Sequence, residues 1–443
     1  MRIQLSEHFT YRKLLRFTLP SVIMMVCTSI YGVVDGVFVS NFVGSDAFAA
    51  VNLIMPFLMV LGAVGFMLGT GGSALVAYTL GAGNEKRANE IFSLLIYVLI
   101  GVGAVFTIGG IAFLTPMSRL LGADETMLPV CVSYGRIVLL GLIPYMLQNT
   151  FQSFLVTAER PQLGLYVTIA AGVTNIALDA LFVAVLQWGA EGAALATILS
   201  QFVGGAIPLV YFLRPNSSKL RLGRTAFHGR ALLKACANGS SEFMTNISMS
   251  VVNMLYNWQL MRLMGSGGVA VYGVIMYVNF IFIAIFLGYS MGSAPIVGYH
   301  YGAGNRAELR GLLRKSLCII TVMSVVLTAA ALLLARPLSM IFMSKEATLL
   351  PVTIRAFSIY SLSFLMAGYN IYASSFFTAL NDGFISALIS FARTLVFHVA
   401  AVIVLPVLWD IDGVWAAVVA AETLALLLSA ACLVGKRKKY GYA

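Results

Sequence analysis

The sequence predicts an all-α membrane protein of twelve transmembrane helices, arranged as two parallel-repeat six-helix lobes facing each other across a cleft. Three observations carry this reading. First, the 443 residues are 60% hydrophobic and only 10% charged, with a mean hydropathy of +0.92, whereas soluble domains carry about 25% charged residues. Second, apolar runs long enough to cross a bilayer follow one another along the chain. Third, landmarks of the first half recur in the second at a fixed offset. No series of short alternating strands is present, which argues against a barrel.

Taken in order, the spans are predicted at 14–40, 51–80, 91–114, 137–157, 163–186, 192–213, 237–263, 269–301, 312–335, 356–380, 384–408 and 413–434. The second and eighth exceed the roughly 20 residues a crossing needs, so tilt or extension beyond the bilayer is expected. The polar start, Met1 to Thr10, carries Glu7, and no short apolar region with a cleavage site follows. Span one is therefore expected to be retained as an internal signal.

Charge placement sets an orientation. With the N-terminus inside, 21 of the 28 Lys and Arg residues fall on the inner side. Only Arg119, Arg262, Arg336 and Lys345 fall outside; Arg136, Arg355 and Arg393 lie in or at the ends of spans. This bias predicts that both termini are cytoplasmic. It also explains the net charge of +11 as a topology signal with a grip on anionic membrane lipid, so no nucleic-acid partner is expected. The longest polar break, Arg214 to Lys234, has six basic residues and no acidic one. It divides a first lobe (1–213) from a second (235–443), with 214–234 as a basic linker.

The repeat fixes how the halves relate. Leu80-Gly81-Ala82-Gly83-Asn84 recurs as Tyr301-Gly302-Ala303-Gly304-Asn305, 221 residues later. The same offset joins Gly44-Ser45 to Gly265-Ser266, Asn149 to Asn370, Thr157-Ala158 to Thr378-Ala379, and Gly192 to Gly413. Six spans fit in one period, so both copies start on the same side and their symmetry axis runs along the membrane normal. The Gly-x-Gly-Asn turns read as tight loops with a helix start behind them. No Lys-Ser/Thr follows, so they are not phosphate loops.

Chemistry concentrates in a few intramembrane polar groups. Asp179 lies in an apolar run, residues 165–186, with no cation near it in sequence. An ionised carboxylate costs several kcal/mol in hydrocarbon, so it should face the interior and have a function there. Asn175 shares its helix face. Asp35 is the acid of span one. In the second half Asp179 aligns with Ala400, Asn175 with Val396 and Asp35 with Tyr256. The acid pair thus belongs to the first lobe alone, while Glu242 and Glu422 are the second lobe's own intramembrane acids. Glu242 can be read as a helix-start acid, and Arg393 as the ion-pair partner of Glu422. Cys27, Cys131, Cys236, Cys318 and Cys432 form no CxxC, and His8, His228, His300 and His398 form no HExxH. No metal site beyond a monovalent cation, and no cofactor, is expected.

Three stretches, with the two Gly-Ala-Gly-Asn turns, carry a family resemblance. They are Tyr31-Gly32-Val33-Val34-Asp35-Gly36-Val37-Phe38-Val39, Asn175-Ile176-Ala177-Leu178-Asp179 and Gly192-Ala193-Ala194-Leu195-Ala196-Thr197. Their ordered combination resembles the multidrug and toxic compound extrusion (MATE) family, from about Pro20 to span twelve. The resemblance implies cation-coupled export of organic, often cationic, drug-like compounds by a V-shaped pair of lobes. The acids in spans one and five are similar to the DinF-like branch. By motif match Asp35, Asp179, Asn175 and Thr197, with Asn149 on a looser pattern, take its coupling positions, and Pro20 takes that of its span-one bend. Glu242 resembles the span-seven acid of the NorM-like branch, but span ten holds no Asp or Glu.

Read physically, Asp35, Asp179 and Thr197 can share a depth in the outer half of the membrane. Asn175 and Asn149 then sit about one turn, roughly 5 Å, deeper. Tyr31, one turn below Asp35, can donate to a carboxylate. Two adjacent carboxylates in a low dielectric cannot both stay ionised cheaply, so the pair should take up a proton. The same oxygens could instead hold sodium, and the coupling ion is left open between the two. The expectation is thus a secondary active multidrug antiporter working by alternating access, as a monomer in the cell membrane. The alternative is a lipid-linked oligosaccharide flippase of the same superfamily fold, which needs a more cationic cleft. A membrane enzyme is not expected, for want of a nucleophile–base pair or metal cluster.

Overall fold

A computed structural model describes residues 3–43, 45–343 and 348–442. Met1, Gly44 and Lys345, named above, lie outside them. The first half runs through α1 (Tyr11–Phe42), α2 (Ser45–Gly81), α3 (Glu85–Leu120), α4 (Leu128–Leu140), α5 (Leu142–Thr157), α6 (Pro161–Asp179) and α7 (Gly189–Leu213). The second runs through α8 (Gly229–Met264), α9 (Ser266–Gly302), α10 (Arg306–Met343), α11 (Leu349–Ser361), α12 (Phe364–Ala379), α13 (Gly383–Phe391) and α14 (His398–Tyr440). α4 and α5 form one crossing bent by 52°, and α11 and α12 one bent by 43°. The bends are repeat-related, falling at Gly141 and Leu362. π-helical turns extend α6 (Ala180–Val185) and join α13 to α14 (Ala392–Phe397). α14 itself breaks at Trp409 and Asp410 into two crossings. Grouped this way, the described residues make six crossings per half, the twelve-helix membrane fold.

Local chemistry explains the boundaries. Gly83 and Gly304 carry φ of 80° and 69°, the left-handed turn glycine favours. Asn84 then caps α3 by accepting from Arg87 N, and Asn305 accepts from Glu308 N at 3.1 Å to start α10. The helical structure departs from the span reading at α8. It begins at Gly229, not near Ala237, so the non-helical linker is 214–228. That linker is fastened along α3, where Asn89 donates to Lys219 O and accepts from Arg221 N, and Ser93 Oγ accepts from Gly223 N.

The lobes meet through reciprocal close contacts. A β-carbon on Gly81 would overlap Tyr299 O, and one on Gly302 would overlap Tyr78 O. Gly71 packs against the Gly239 backbone, and Gly292 against Thr18. Each pair is the other shifted by 221 residues with the roles exchanged, the signature of a two-fold axis between the halves. All these glycines lie toward the end of the molecule that carries the chain termini and the linker. At mid-depth Ser29 Oγ reaches Phe280 O at 3.3 Å. Farther out a β-carbon on Gly36 would meet only Tyr277 Oη, at 3.9 Å, and one on Gly32 or Gly273 nothing within 4 Å. The lobes are therefore clasped at the termini end and splayed at the far end.

Candidate functional site

The first-lobe site is built where α1, α6 and α7 converge. Asp179 is the last α-helical residue of α6, and the π turn starts at the next position. A π turn holds an extra residue per turn and such bulges are frequent at functional sites. Here it widens the helix beside Asp179. The Gly192-Ala193-Ala194 start of α7 closes against it: a β-carbon on Gly192 would lie 3.1 Å from Phe182 O and 3.2 Å from Phe182 Cβ. Phe182 stacks on Trp188 with ring centroids 4.9 Å apart. Val39, Val183 and Ala193 form a small apolar cluster from α1, the π turn and α7. The third sequence motif is thus a packing device that lets α7 approach the bulge.

Asp35 and Asp179 are brought together, their carboxylates close enough to share a hydrogen bond. Asp179 is fully buried and Asp35 half-buried. Both oxygens of Asp179 and Oδ1 of Asp35 are buried and meet no donor from the rest of the described protein. Two acceptor-only groups facing each other are a costly arrangement unless a proton or cation joins them. Tyr134 of α4, which the sequence did not single out, lies near both carboxylates, with its hydroxyl 3.9 Å from Met55 Sδ.

The other positions form a layer around and below. Asn175 is buried on α6 and Thr197 half-buried on α7. Asn149 donates to Tyr145 O of its own helix at 2.9 Å. Tyr31 corrects the expected geometry: its hydroxyl accepts from Gln148 Nε2 at 3.4 Å and is not bonded to a carboxylate. The reason is Gly172, where a β-carbon would lie 2.8 Å from the Tyr31 ring, so the ring beds onto α6 and its tip reaches α5. Pro20 lies within α1, which runs unbroken through it.

The second lobe holds a different polar centre. Arg393, within the π turn, places Nε 2.9 Å and Nη2 2.8 Å from Glu422 Oε1. Asn370 Nδ2 donates to Glu422 Oε2 at 2.7 Å and to its backbone carbonyl at 2.9 Å, and Ser429 Oγ donates to Asn370 Oδ1 at 3.0 Å. His398 Nδ1 lies 2.7 Å from Arg393 O. Glu422 is thereby buried and fully bonded. Glu242 corrects the helix-start reading, because α8 begins thirteen residues earlier and the acid lies some four turns in. It is half-buried near the Arg393 charge, and its carboxylate makes no hydrogen bond or ion pair among the described residues. Among those residues no group of three or more His, Cys, Asp or Glu is placed to hold a metal ion.

A two-fold pair of six-helix lobes, each holding a polar centre inside its apolar helices, defines an integral, multi-pass membrane transporter fold. The family model MatE matches residues 20–181 and 243–404, once in each half, and the chain belongs to this MATE family. It is 22% identical over 425 residues to the multidrug export protein MepA of Staphylococcus haemolyticus, covering 96% of this chain and 93% of that one. It is 22% identical over 367 residues to MepA of Staphylococcus aureus strain NCTC 8325, covering 81% and 80%. Among solved structures it is similar to a MATE protein in complex with MaL6, at a TM-score of 0.92 and 22% identity over 98% of this chain and 97% of that one. It is similar also to the outward-facing conformation of a multidrug resistance MATE family transporter, at a TM-score of 0.91 and 22% identity with the same coverage.

Proposed function

We propose that this protein is a secondary active multidrug efflux transporter, exporting organic, often cationic, compounds by proton- or sodium-coupled antiport. The observation that carries the reading is the facing pair of carboxylates, Asp35 and Asp179, with three of their four oxygens buried and without a donor, beside a π turn on one wall of the splayed lobes. The relatives' description as multidrug export proteins supports the substrate class. The similarity in span-one and span-five acids supports placement in the DinF-like branch.

In this reading the lobes, 1–213 and 235–443, rock about the axis between them, and the two end states expose the cleft to opposite sides. A proton shared between Asp35 and Asp179 removes the repulsion of two buried anions. A sodium ion would be held by the same oxygens with those of Asn175 and Thr197, an oxygen-only donor set that suits a hard cation. Either ion binds one state better than the other, and that difference is what drives drug outward. The 21-to-4 distribution of basic residues supports cytoplasmic termini in the cell membrane, which makes the state described above outward-open. The protein works as a monomer. Lipid-linked pyrophosphate export fits poorly, because the intramembrane cation, Arg393, is already neutralised by Glu422.

The test is efflux of a fluorescent cationic dye from proteoliposomes, with a pH gradient and a sodium gradient imposed separately. Uphill efflux under one gradient supports the reading and identifies the ion. Dye movement indifferent to both sinks it.

A further inference from the structure

The chain segment before α1 is held by both lobes. Leu5 N donates to Glu159 Oε1 at 2.9 Å, in the α5–α6 turn of the first lobe. Four residues on, Phe9 N donates to Glu308 Oε1 at 2.9 Å, at the start of α10 in the second lobe. His8 Nδ1 lies 2.6 Å from Glu308 Oε2, and Lys315 Nζ donates to Phe9 O at 2.6 Å. The side chains of Leu5 and Phe9 are buried, in one apolar cluster with Val156 of α5 and Ile296, Leu309 and Leu312 of α9 and α10. A second tie runs beside the first: Lys219 of the linker lies 3.9 Å from Glu159 Oε1 and over the Tyr299 ring of α9 at 5.8 Å. All of this lies at the clasped end of the cleft.

We propose that residues 3–10 form a strap that holds the termini end closed and must release one lobe before that end can open. The proposal rests on the alternating-access reading above. The reach of the chain makes release obligatory. From Leu5 to Phe9 four residues span at most roughly 14 Å when fully extended, and here they are folded back, with Glu7 N bonded to Gln4 O at 3.2 Å. Separating Glu159 from Glu308 beyond that span breaks a backbone-to-carboxylate bond and exposes Leu5 or Phe9 to water. Phe9 is joined through Thr10 to α1 of the first lobe, so losing the Glu308 anchor frees the strap, whereas losing Glu159 alone leaves the tie between the lobes in place. This is a prediction that simple packing glue does not make.

The experiment uses the full chain with its five cysteines replaced and spin labels at Lys86→Cys and Ala307→Cys. These repeat-related positions are exposed at the termini end of opposite lobes. Distances are measured by pulsed electron resonance in lipid nanodiscs at acid and alkaline pH. Removing residues 2–9, which keeps the Thr10 cap of α1, should raise the open-to-closed ratio about tenfold, the value of one hydrogen bond to a charged group. Glu308→Ala should give nearly the same rise and Glu159→Ala a smaller one, and adding Glu308→Ala to the truncation should give no more. A ratio unchanged in Glu308→Ala overturns the proposal, even if the truncated chain folds poorly. A further rise when Glu308→Ala is added to the truncation, with thermal midpoints falling in step, also overturns it in favour of plain stabilisation. If no longer-distance population appears in any variant at either pH, the alternating-access reading fails first and takes the strap with it.

Discussion

Asp179→Asn should make the protein more stable and stop it pumping. In the native arrangement both Asp179 oxygens and Asp35 Oδ1 are buried without a donor. The amide keeps the volume and supplies the N–H that this site lacks, directed at the facing Asp35 carboxylate. A hydrogen bond to a charged group is worth about 1.5–3 kcal/mol, and one of two mutually repelling buried anions is removed with it. For a lobe of this size each kcal/mol moves the midpoint by about 2–4 °C, so the variant should melt several degrees above the parent at neutral pH. Asp35→Asn should do the same by the reverse bond. Coupled efflux should fall to the downhill leak in either variant, because an amide cannot exchange the proton or balance the cation charge. The double variant loses the carboxylate acceptor and should be no less active than either single one, since two residues that share one ion act as a unit. Scanning fluorimetry and dye efflux on the same preparations check both arms. A midpoint lowered by more than a few degrees would show that Asp179 is already satisfied as an ion. Wild-type efflux in the purified variant would move the coupling role to the second-lobe acids.

Arg393→Ala should cost about 3–5 kcal/mol by stranding the buried Glu422 charge, whereas Arg393→Met with Glu422→Leu should recover most of that loss; urea or thermal melts of the three proteins decide it. Gly81→Val and Gly302→Val should each prevent the termini end from closing, since either side chain collides with a tyrosine carbonyl of the other lobe. Cysteines at Lys86 and Ala307 should then cross-link poorly, and parental cross-linking in both variants would refute the clasp. Arg224→Cys, at an exposed linker position, should resist an impermeant thiol reagent in intact cells and react in inside-out vesicles. Ser218 would be a poor reporter, because it is buried and bonded to Asn216 Oδ1.

Much of the fold could be read from the sequence because bilayer crossing imposes long apolar runs, and because no insertion interrupts the repeat. The offset of 221 therefore carries over into space: Gly81 against Tyr299 and Gly302 against Tyr78 are the same contact twice. Glu242 was misplaced for a local reason. The first turns of α8 contain Gly229, Arg230, Lys234 and Ser240, so its start lacks the apolar signal that marks the other spans. The carboxylate pair was legible because buried charge is expensive wherever it sits. The partner of Tyr31 was not, since depth along a helix says nothing about which neighbour a ring turns toward, and Gly172 decides that. The π turns left no mark that apolar periodicity could detect. They arise where a bulge is accommodated by a neighbour, as Gly192 accommodates the one after Asp179.

The reciprocal glycine contacts bear on how the two halves assemble. An interface in which each half offers the other the same patch is the interface of a homodimer, here carried within one chain. A six-span half has its ends on one side, so two free copies would insert with the same orientation and could pair without inversion. Joining them needs only a loop such as 214–228. Within one chain the halves need not share one sequence, so their interiors can differ while the seam between them stays symmetric. Gly172 admits the Tyr31 ring in one half, and its counterpart, Arg393, holds Glu422 in the other. One half keeps a facing pair of unsatisfied acids, and its twin has locked Glu422 into the scaffold and leaves the Glu242 carboxylate unbonded among the described residues.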